Sequence, residues 1–242
     1  MPLSHVVVLI PARNEENLLP RCLTSVLRAC LRLPPTITYD IIVAVDSSTD
    51  KTRELAEQIL NGHGTVVSTD AGCVGQARID AANAALQRYT GSAQHCWIAN
   101  TDADCIVPDD WLLDQIELAE SGFSAIAGVV DVDSYADHAP GVEYLFRTTY
   151  IIHPDGTHPH VHGANLGMRA DAYLRAGGWA GLATAEDHDL WRRLYEVGTR
   201  RASVARLSVI TSGRRIGRAP HGFADALAAH NASFPLQLSE PL

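Results

Sequence analysis

Two short acidic segments carry side chains suited to metal-assisted chemistry. Asp102-Ala103-Asp104 follows the strand-like run 95–100, and two acids two positions apart in an extended segment point to the same side. Their carboxylate oxygens suit a hard divalent cation, Mg2+ or Mn2+, that also takes a substrate phosphate. The second segment, Glu186-Asp187, opens a helix-like stretch and offers a candidate general base.

Both acidic segments also have ordinary structural explanations. The chain contains three Asp-x-Asp pairs, and such a pair can cap a helix. Only Asp102 and Asp104 lie just past a predicted buried strand and just before a predicted helix, which is where sites of parallel sheets occur. Acids in a first helical turn, such as Glu186 and Asp187, are favoured by the helix dipole. Neither segment decides the function alone.

Four histidines fall within ten residues: His153, His158, His160 and His162. Their spacing fits no compact structural zinc pattern, and Pro154 and Pro159 would break a helix that aligned them. A polar loop over a substrate is therefore favoured over a zinc site, and a plain surface loop is the remaining alternative.

The elements that must position these side chains alternate between strand-like and helix-like segments over the first 130 residues. Buried strands are predicted at 6–10, 39–45, 65–69 and 95–100. Helices are predicted at 15–30, after a cap at Thr49 or Asp50, at 75–89, and with Pro108 as first helical residue. This alternation predicts an α/β fold with a mostly parallel sheet and function at the carboxyl ends of its strands. The polar segments 11–15, 46–50, 70–78 and 101–105 stand at those ends.

The pattern changes from about residue 131. Residues 137–163 are rich in His, Pro, Gly and aromatic residues, which predicts an irregular or mobile region. Helices are predicted at 169–176 and 185–197, and a strand at 202–210. No linker-like stretch separates the parts. We therefore expect a single domain over 1–242, with halves 1–130 and 131–242.

Composition excludes several classes of protein. A net charge of −9 disfavours nucleic acid as a partner, and an anionic ligand would need a metal or focused arginines. The chain has neither the glycine pattern of a dinucleotide-binding fold nor a P-loop. Its five scattered cysteines indicate reduced thiols of a cytoplasmic protein, and no segment has the length of a membrane span. Any membrane contact is expected to be peripheral.

The motifs reinforce one another through their order along the chain. They are Pro11-Ala12-Arg13-Asn14-Glu15, Asp46-Ser47-Ser48-Thr49-Asp50, Gly75-Gln76-Ala77-Arg78, Asp102-Ala103-Asp104, Gly163-Ala164-Asn165 and Glu186-Asp187. This ordered set resembles family 2 of the glycosyltransferases, which are nucleotide-sugar enzymes of the GT-A fold, over residues 5 to 220. The resemblance implies a Rossmann-like sheet with a nucleotide-binding first half and an irregular, acceptor-side second half.

The resemblance implies a role for each matching residue on the nucleotide side. The residues implied to bind the nucleotide sugar are Pro11, Ala12, Arg13, Glu15, Asp46, Arg78, Asp102 and Ala103. Within this set, Asp46 would read the base, Arg78 would approach the nucleotide, and Asp102 would face the ribose or the metal. The family usually has paired acids and then Gly where this chain has Val45, Asp46 and Ser47, so the base preference stays open.

Further roles follow from the same resemblance. Asp104 would bind Mn2+ or Mg2+, with Asp102 and a C-terminal His221 as further ligands, and His188 and the four clustered histidines compete with His221. Gly163 and Asn165 would border the donor sugar and acceptor, while Asp187 would be the catalytic base beside Glu186. Residues 211–215 and 217–223 are compatible with a pyrophosphate-binding loop.

The implied activity is metal-dependent, inverting transfer of a sugar from a nucleoside-diphosphate donor to an acceptor hydroxyl. Two alternatives remain at this point. A sugar-nucleotide nucleotidyltransferase shares the alternating fold and a metal, although residues 11–15 contain neither Gly nor Lys. A non-catalytic nucleotide-sugar-binding homologue is the other, and the presence of Asp104 and Asp187 disfavours it.

Overall fold

The middle of the sheet is built from continuous apolar runs. The computed structural model describes residues 2–220 and 222–234. Within these residues the strands are β1 (His5–Ala12), β2 (Thr38–Asp46), β3 (Thr65–Thr69), β4 (Cys96–Asn100), β5 (Ala125–Val132), β6 (Leu166–Arg169) and β7 (Arg201–Thr211). They form one sheet in the order β3-β2-β1-β4-β6-β5-β7. All neighbouring pairs of described strands are parallel except the two that involve β6.

Helices cover both faces of this sheet. In the described part of the chain they are α1 (Leu19–Leu31), α2 (Thr52–Leu60), α3 (Val74–Arg88), α4 (Trp111–Glu120), α5 (Val142–Thr149), α6 (Ala170–Arg175), α7 (Glu186–Glu196) and α8 (Phe223–Ala229). Alternate residues of β1 pack into two hydrophobic clusters, one on each face of the sheet. Val8 packs on the α1 side and Leu9 packs on the α3 side. The sheet is therefore buried on both faces, as the unalternated apolar runs predict.

The predicted mostly parallel α/β fold is confirmed, although several element bounds differ. The first helix begins at Leu19, not at residue 15, because the backbone turns at Asn14, whose φ is +52°. The helix expected from Pro108 begins at Trp111, whose N–H bonds to the Pro108 carbonyl. The prediction of residues 137–163 as irregular throughout is wrong, because α5 lies within them.

Strand order brings both predicted halves of the chain into one sheet. Strand β6 inserts between β4 and β5, and β7 pairs with β5. The carboxyl ends of β1, β2 and β4 lie at one edge because these strands are parallel neighbours. Among the described residues no helix is both long enough and apolar enough to cross a bilayer.

Candidate active site

The loops at the carboxyl ends of the strands line an open cleft. Eight of the residues proposed from the sequence line it: Pro11, Ala12, Arg13, Glu15, Asp46, Asp102, Ala103 and Asp104. The opposite wall comes from residues that follow β7, including Arg214 and Phe223, and Cys73 contributes from the segment before α3. A cleft at this edge is the expected ligand site of an open α/β sheet.

The loops after β1 and β2 are locked together by hydrogen bonds. Asn14 accepts from the Thr49 N–H at 2.8 Å, and its own N–H donates to Ser48 Oγ at 3.0 Å. The Glu15 N–H donates to Thr52 Oγ1 at 2.7 Å. The left-handed backbone of Asn14, which Asn tolerates better than most residues, permits this geometry. One wall of the cleft is therefore rigid.

Asp46 joins this wall to the loop after β3. Its side chain is buried, and Oδ1 accepts hydrogen bonds from the Gly72 N–H at 2.9 Å and from Ser47 Oγ at 3.1 Å. The Gly72 backbone has φ +62°, which suits glycine. The carboxylate is thereby fixed in the lining of the cleft.

The Arg214 guanidinium pairs with two acids that line the cleft, Glu15 and Asp104. Arg214 donates to both oxygens of Glu15, at 2.7 and 3.1 Å, and also contacts Asp104 Oδ2. The other oxygen of Asp104 faces the Cys105 thiol at 3.6 Å. Burial raises the pKa of Glu15, and the Arg214 guanidinium opposes that shift. The sequence gives no local signal of this contact, because Arg214 is 110 residues from Asp104 and 199 from Glu15.

Arg78 connects the two acidic segments from beneath the cleft. It is buried in α3, and it donates to Asp102 Oδ1 at 2.6 Å and to Glu186 Oε1 at 3.2 Å. Its guanidinium also lies 5.0 Å from the ring centre of Trp179, a cation–π distance. Desolvation raises the pKa of Asp102 to about 6, while Arg78 works in the opposite direction. In the structure the partners of Arg78 are carboxylates, whereas the resemblance implied that Arg78 would approach the nucleotide.

Asp187 is held at the first turn of α7. Its Oδ2 accepts the Gly163 N–H at 2.8 Å, and Ala185 enters the helix with a left-handed φ of +59°. Gly163 leaves no room for a side chain, because a Cβ there would lie 2.3 Å from Arg78 Nη2. The structure therefore brings Gly163, Asp187 and the Arg78 network together.

Asn165 has a structural role. It is fully buried, its Oδ1 accepts from Trp111 Nε1 at 2.9 Å, and its Nδ2 donates to the Val129 and Leu207 carbonyls at 2.8 and 2.9 Å. These bonds tie α4, β5 and β7 together. Its side chain is thus used inside the protein, against the expectation that it borders the donor sugar.

Three of the clustered histidines, His158, His160 and His162, form a stack next to Asp187. His160 stacks on Tyr150 with ring centres 3.8 Å apart, and His162 Nε2 lies 2.9 Å from the Tyr150 hydroxyl. His158 bonds to the Ala127 carbonyl at 3.1 Å. Burial lowers the pKa of His162 to about 4, so its ring is neutral near pH 7. Hydrogen bonds and stacking occupy these rings, and no metal-binding group of the described residues includes them.

The described acids fit a hard divalent cation. Asp102, Asp104 and Cys105 offer ligand atoms that all lie within 4.8 Å of one another. Burial and nearby carboxylates raise the pKa of the Cys105 thiol well above its usual range, and hard divalent cations prefer oxygen to sulfur ligands. Two carboxylates then remain, which suits Mg2+ or Mn2+ completed by phosphate and water. His221 lies outside the described residues.

Comparison with known proteins decides the family. The model of Glycosyl transferase family 2 matches residues 7–175. The chain belongs to this family. The match includes the donor-side acids and Arg78 and ends before Glu186 and Asp187. Among curated proteins, no sequence relative matches the chain.

Several solved structures share the fold of this chain. S. aureus TarS 1-349 in complex with UDP is 16% identical with a TM-score of 0.62, and the match covers 87% of this chain and 61% of that one. The Pyrobaculum calidifontis mannosyltransferase PcManGT, in complex with GDP-Man and Mn2+, is 18% identical with a TM-score of 0.60, covering 96% and 74%. The chain spans only 36% of another TarS structure, at 17% identity, 86% coverage of this chain and a TM-score of 0.62. These likenesses concern the fold.

Proposed function

We propose that this chain is a metal-dependent, inverting glycosyltransferase that moves a sugar from a nucleoside-diphosphate donor to an acceptor hydroxyl. One observation carries the proposal. The buried Arg78 pairs with Asp102 of the Asp-x-Asp segment and with Glu186, the neighbour of Asp187. A carboxylate pair suited to a metal and a carboxylate suited to proton transfer therefore belong to one connected site. Family membership supports sugar transfer over nucleotidyl transfer.

The donor nucleotide is expected in the cleft between the locked β1 and β2 loops and the segment after β7. Asp46 stands where it can accept hydrogen bonds from a base, and Ala12 gives the wall a small apolar surface. The cationic groups of this cleft are Arg13, Arg214 and Arg218, which suit a pyrophosphate. The TarS structure is a complex with UDP and the PcManGT structure is a complex with GDP-Man, so uracil and guanine are both candidate bases here.

Asp104 and Asp102 would hold the metal. A divalent cation bound there would offset the pyrophosphate charge and stabilise the departing nucleoside diphosphate. The protein residues would keep both carboxylates aimed at that place, since Cys105 contacts one oxygen of Asp104 and Arg78 holds Asp102. The PcManGT structure is a complex with Mn2+, which supports a divalent metal as cofactor here.

Asp187 would act as the general base. The acceptor oxygen forms a bond to the anomeric carbon, the bond from that carbon to the donor phosphate oxygen breaks, and the acceptor proton passes to Asp187. One displacement from the side opposite the leaving group inverts the anomeric configuration. The Gly163 N–H fixes one oxygen of Asp187, which orients the carboxylate before the acceptor arrives.

The test is release of nucleoside diphosphate from a panel of UDP-sugars and GDP-sugars with Mn2+, with and without simple sugar acceptors. Asp187→Asn should lower transfer by about 10²–10⁴-fold, because a positioned base is lost while the shape is kept. Asp104→Asn should lower both transfer and metal-dependent nucleotide binding. Asp109→Asn is the matched control, because Asp109 is exposed and pairs only with the exposed Arg28 among its described contacts.

Two results would contradict the proposal. Near-normal transfer by Asp187→Asn would contradict the assignment of Asp187 as the base. A first product with retained anomeric configuration, observed by NMR, would contradict the inverting mechanism. Pyrophosphate release from a sugar phosphate and a nucleoside triphosphate would instead support nucleotidyl transfer.

A further inference from the structure

We infer that Arg214 competes with the divalent cation for Asp104, and that a bound nucleoside diphosphate draws Arg214 away from this carboxylate. The inference rests on the proposed role of Asp104 as metal ligand. It makes metal and donor binding interdependent: the metal binds weakly to the free protein and tightly once the diphosphate is present.

The competition follows from where the guanidinium lies. Arg214 contacts Asp104 Oδ2 and both oxygens of Glu15, so one cation already pairs with two mostly buried acids. The second oxygen of Asp104 faces the buried Cys105 thiol, and Asp102 is paired with Arg78. A divalent cation on Asp104 would lie next to a guanidinium of the same sign. The two cations therefore exclude each other from this carboxylate.

The backbone next to Arg214 is anchored, so the guanidinium leaves Asp104 by a movement of the Arg214 side chain alone. The Gly213 N–H donates to Asp133 Oδ1 at 2.9 Å, and His138 Nε2 donates to the Gly213 carbonyl at 2.7 Å. Asp133 pairs with Arg21 at 2.6 Å, and Arg21 donates to the Asp104 carbonyl at 2.9 Å. The Cα of Arg214 is thus tied to the segment that carries Asp104. Rotation about the side-chain bonds can move the guanidinium without opening the cleft.

Glu15 retains a cation when Arg214 leaves. Arg218 Nε lies 3.7 Å from Glu15 Oε1, and its Nη2 donates to the Asn14 carbonyl at 2.8 Å. The guanidinium fork of Arg214 matches two phosphate oxygens as well as two carboxylate oxygens. A diphosphate in the cleft therefore offers Arg214 a new partner without leaving the buried Glu15 unpaired.

The expected loss of metal affinity depends on the fraction of molecules in which Arg214 contacts Asp104. If Arg214 holds Asp104 in nine of ten molecules, the apparent metal affinity is reduced about tenfold, and a higher occupancy reduces it further. Removing the guanidinium restores the intrinsic affinity. A diphosphate that draws Arg214 away from Asp104 should therefore raise the apparent metal affinity by the same factor.

Mn2+ binding, measured by EPR of the free ion, tests this directly. We expect Arg214→Gln to bind Mn2+ at least about tenfold more tightly than the wild type in the absence of nucleotide. UDP or GDP should then raise the Mn2+ affinity of the wild type by a larger factor than that of Arg214→Gln. Arg28→Gln is the control, since it removes the same charge from an exposed side chain that pairs with the exposed Asp109, outside the described cleft lining.

A double variant, Asp104→Asn with Arg214→Gln, should lose the tightened Mn2+ site, which would assign that site to Asp104. Equal Mn2+ affinities for the wild type and Arg214→Gln, with Mn2+ and nucleotide binding intact, would overturn the inference and leave the proposed function standing. Absence of Mn2+ binding in every protein, even with UDP or GDP, would overturn the metal role in the proposed function and the inference with it.

Discussion

Replacement of Arg78 by Met tests the connection between the two acidic segments. The substitution removes a buried guanidinium, 1% exposed, and leaves Asp102 and the buried Glu186 without their cation. Methionine keeps much of the length of the side chain, so the loss is mainly electrostatic. Breaking a buried ion pair by removing one partner costs about 3–5 kcal/mol. For a chain of this size such a loss lowers the melting temperature by roughly 10 °C.

Arg88→Met is the matched control. Arg88 lies on the same helix and pairs with Asp40 at 2.6 Å, the distance that joins Arg78 to Asp102. Its side chain is 55% exposed, and an exposed pair contributes about 0–1 kcal/mol. Arg78 and Arg88 share residue type, helix and ion-pair distance. A difference between the melting temperatures of the two variants, measured by differential scanning calorimetry, therefore reports the effect of burial.

The penalty of Arg78→Met should also depend on pH. Arg78 lowers the pKa of Asp102, so its removal raises that pKa above about 6, and Asp102 then takes up a proton as the pH falls. The stability gap between the variant and the wild type should be largest near pH 8 and smaller near pH 5. A melting temperature within 2–3 °C of the wild type at pH 8, or a gap that widens toward pH 5, would refute this reasoning.

Three other changes have expected outcomes. N-ethylmaleimide should modify Cys73 before the other four cysteines, which are buried, and UDP or GDP with Mn2+ should slow that reaction; unchanged labelling under saturating nucleotide would place the nucleotide elsewhere. Because burial lowers the pKa of His162 to about 4, the wild type should lose roughly 3 kcal/mol more stability than His162→Gln between pH 6.5 and 4, as measured by urea titration of both proteins; the same change in both would exclude a His162 contribution. Asn165→Ala should cost about 2–4 kcal/mol by the same titration, because three buried bonds lose their partner, and a cost below 1 kcal/mol would show that these bonds contribute little.

The regular part of the fold could be predicted because its signals are local. The runs 6–10 and 39–45 are apolar on both faces, and they became β1 and β2 with only small extensions. The prediction did not name β5, although its eight residues are mostly apolar and buried, and it did not name β6, which has four residues and contains Gly167. It did not find α5 either, where Thr148, Thr149 and three aromatic or β-branched neighbours weaken the helical pattern. Short elements whose stability comes from tertiary contacts leave little trace in the sequence.

The candidate site could be predicted by residue type but not by pairing. Acids after strands locate the cleft, since parallel strands end at one edge. The partners of those acids come from far along the chain, with 108 residues between Arg78 and Glu186. The case of Asn165 shows the converse: a polar residue next to a binding motif is used to tie three elements together. Only the folded structure separates these uses.

Burial explains why two similar ion pairs in this site have different roles. Arg78 and Arg214 each join two carboxylates, but Arg78 is 1% exposed and Arg214 is 21% exposed. Moving Arg78 would leave a buried charge unpaired, so its contacts are expected to persist through the reaction. Arg214 borders the cleft, where a phosphate can replace the carboxylates that it leaves. An acidic protein can thus keep the cation for an anionic donor paired with its own carboxylates, and the donor affinity is then the difference between two sets of ion pairs.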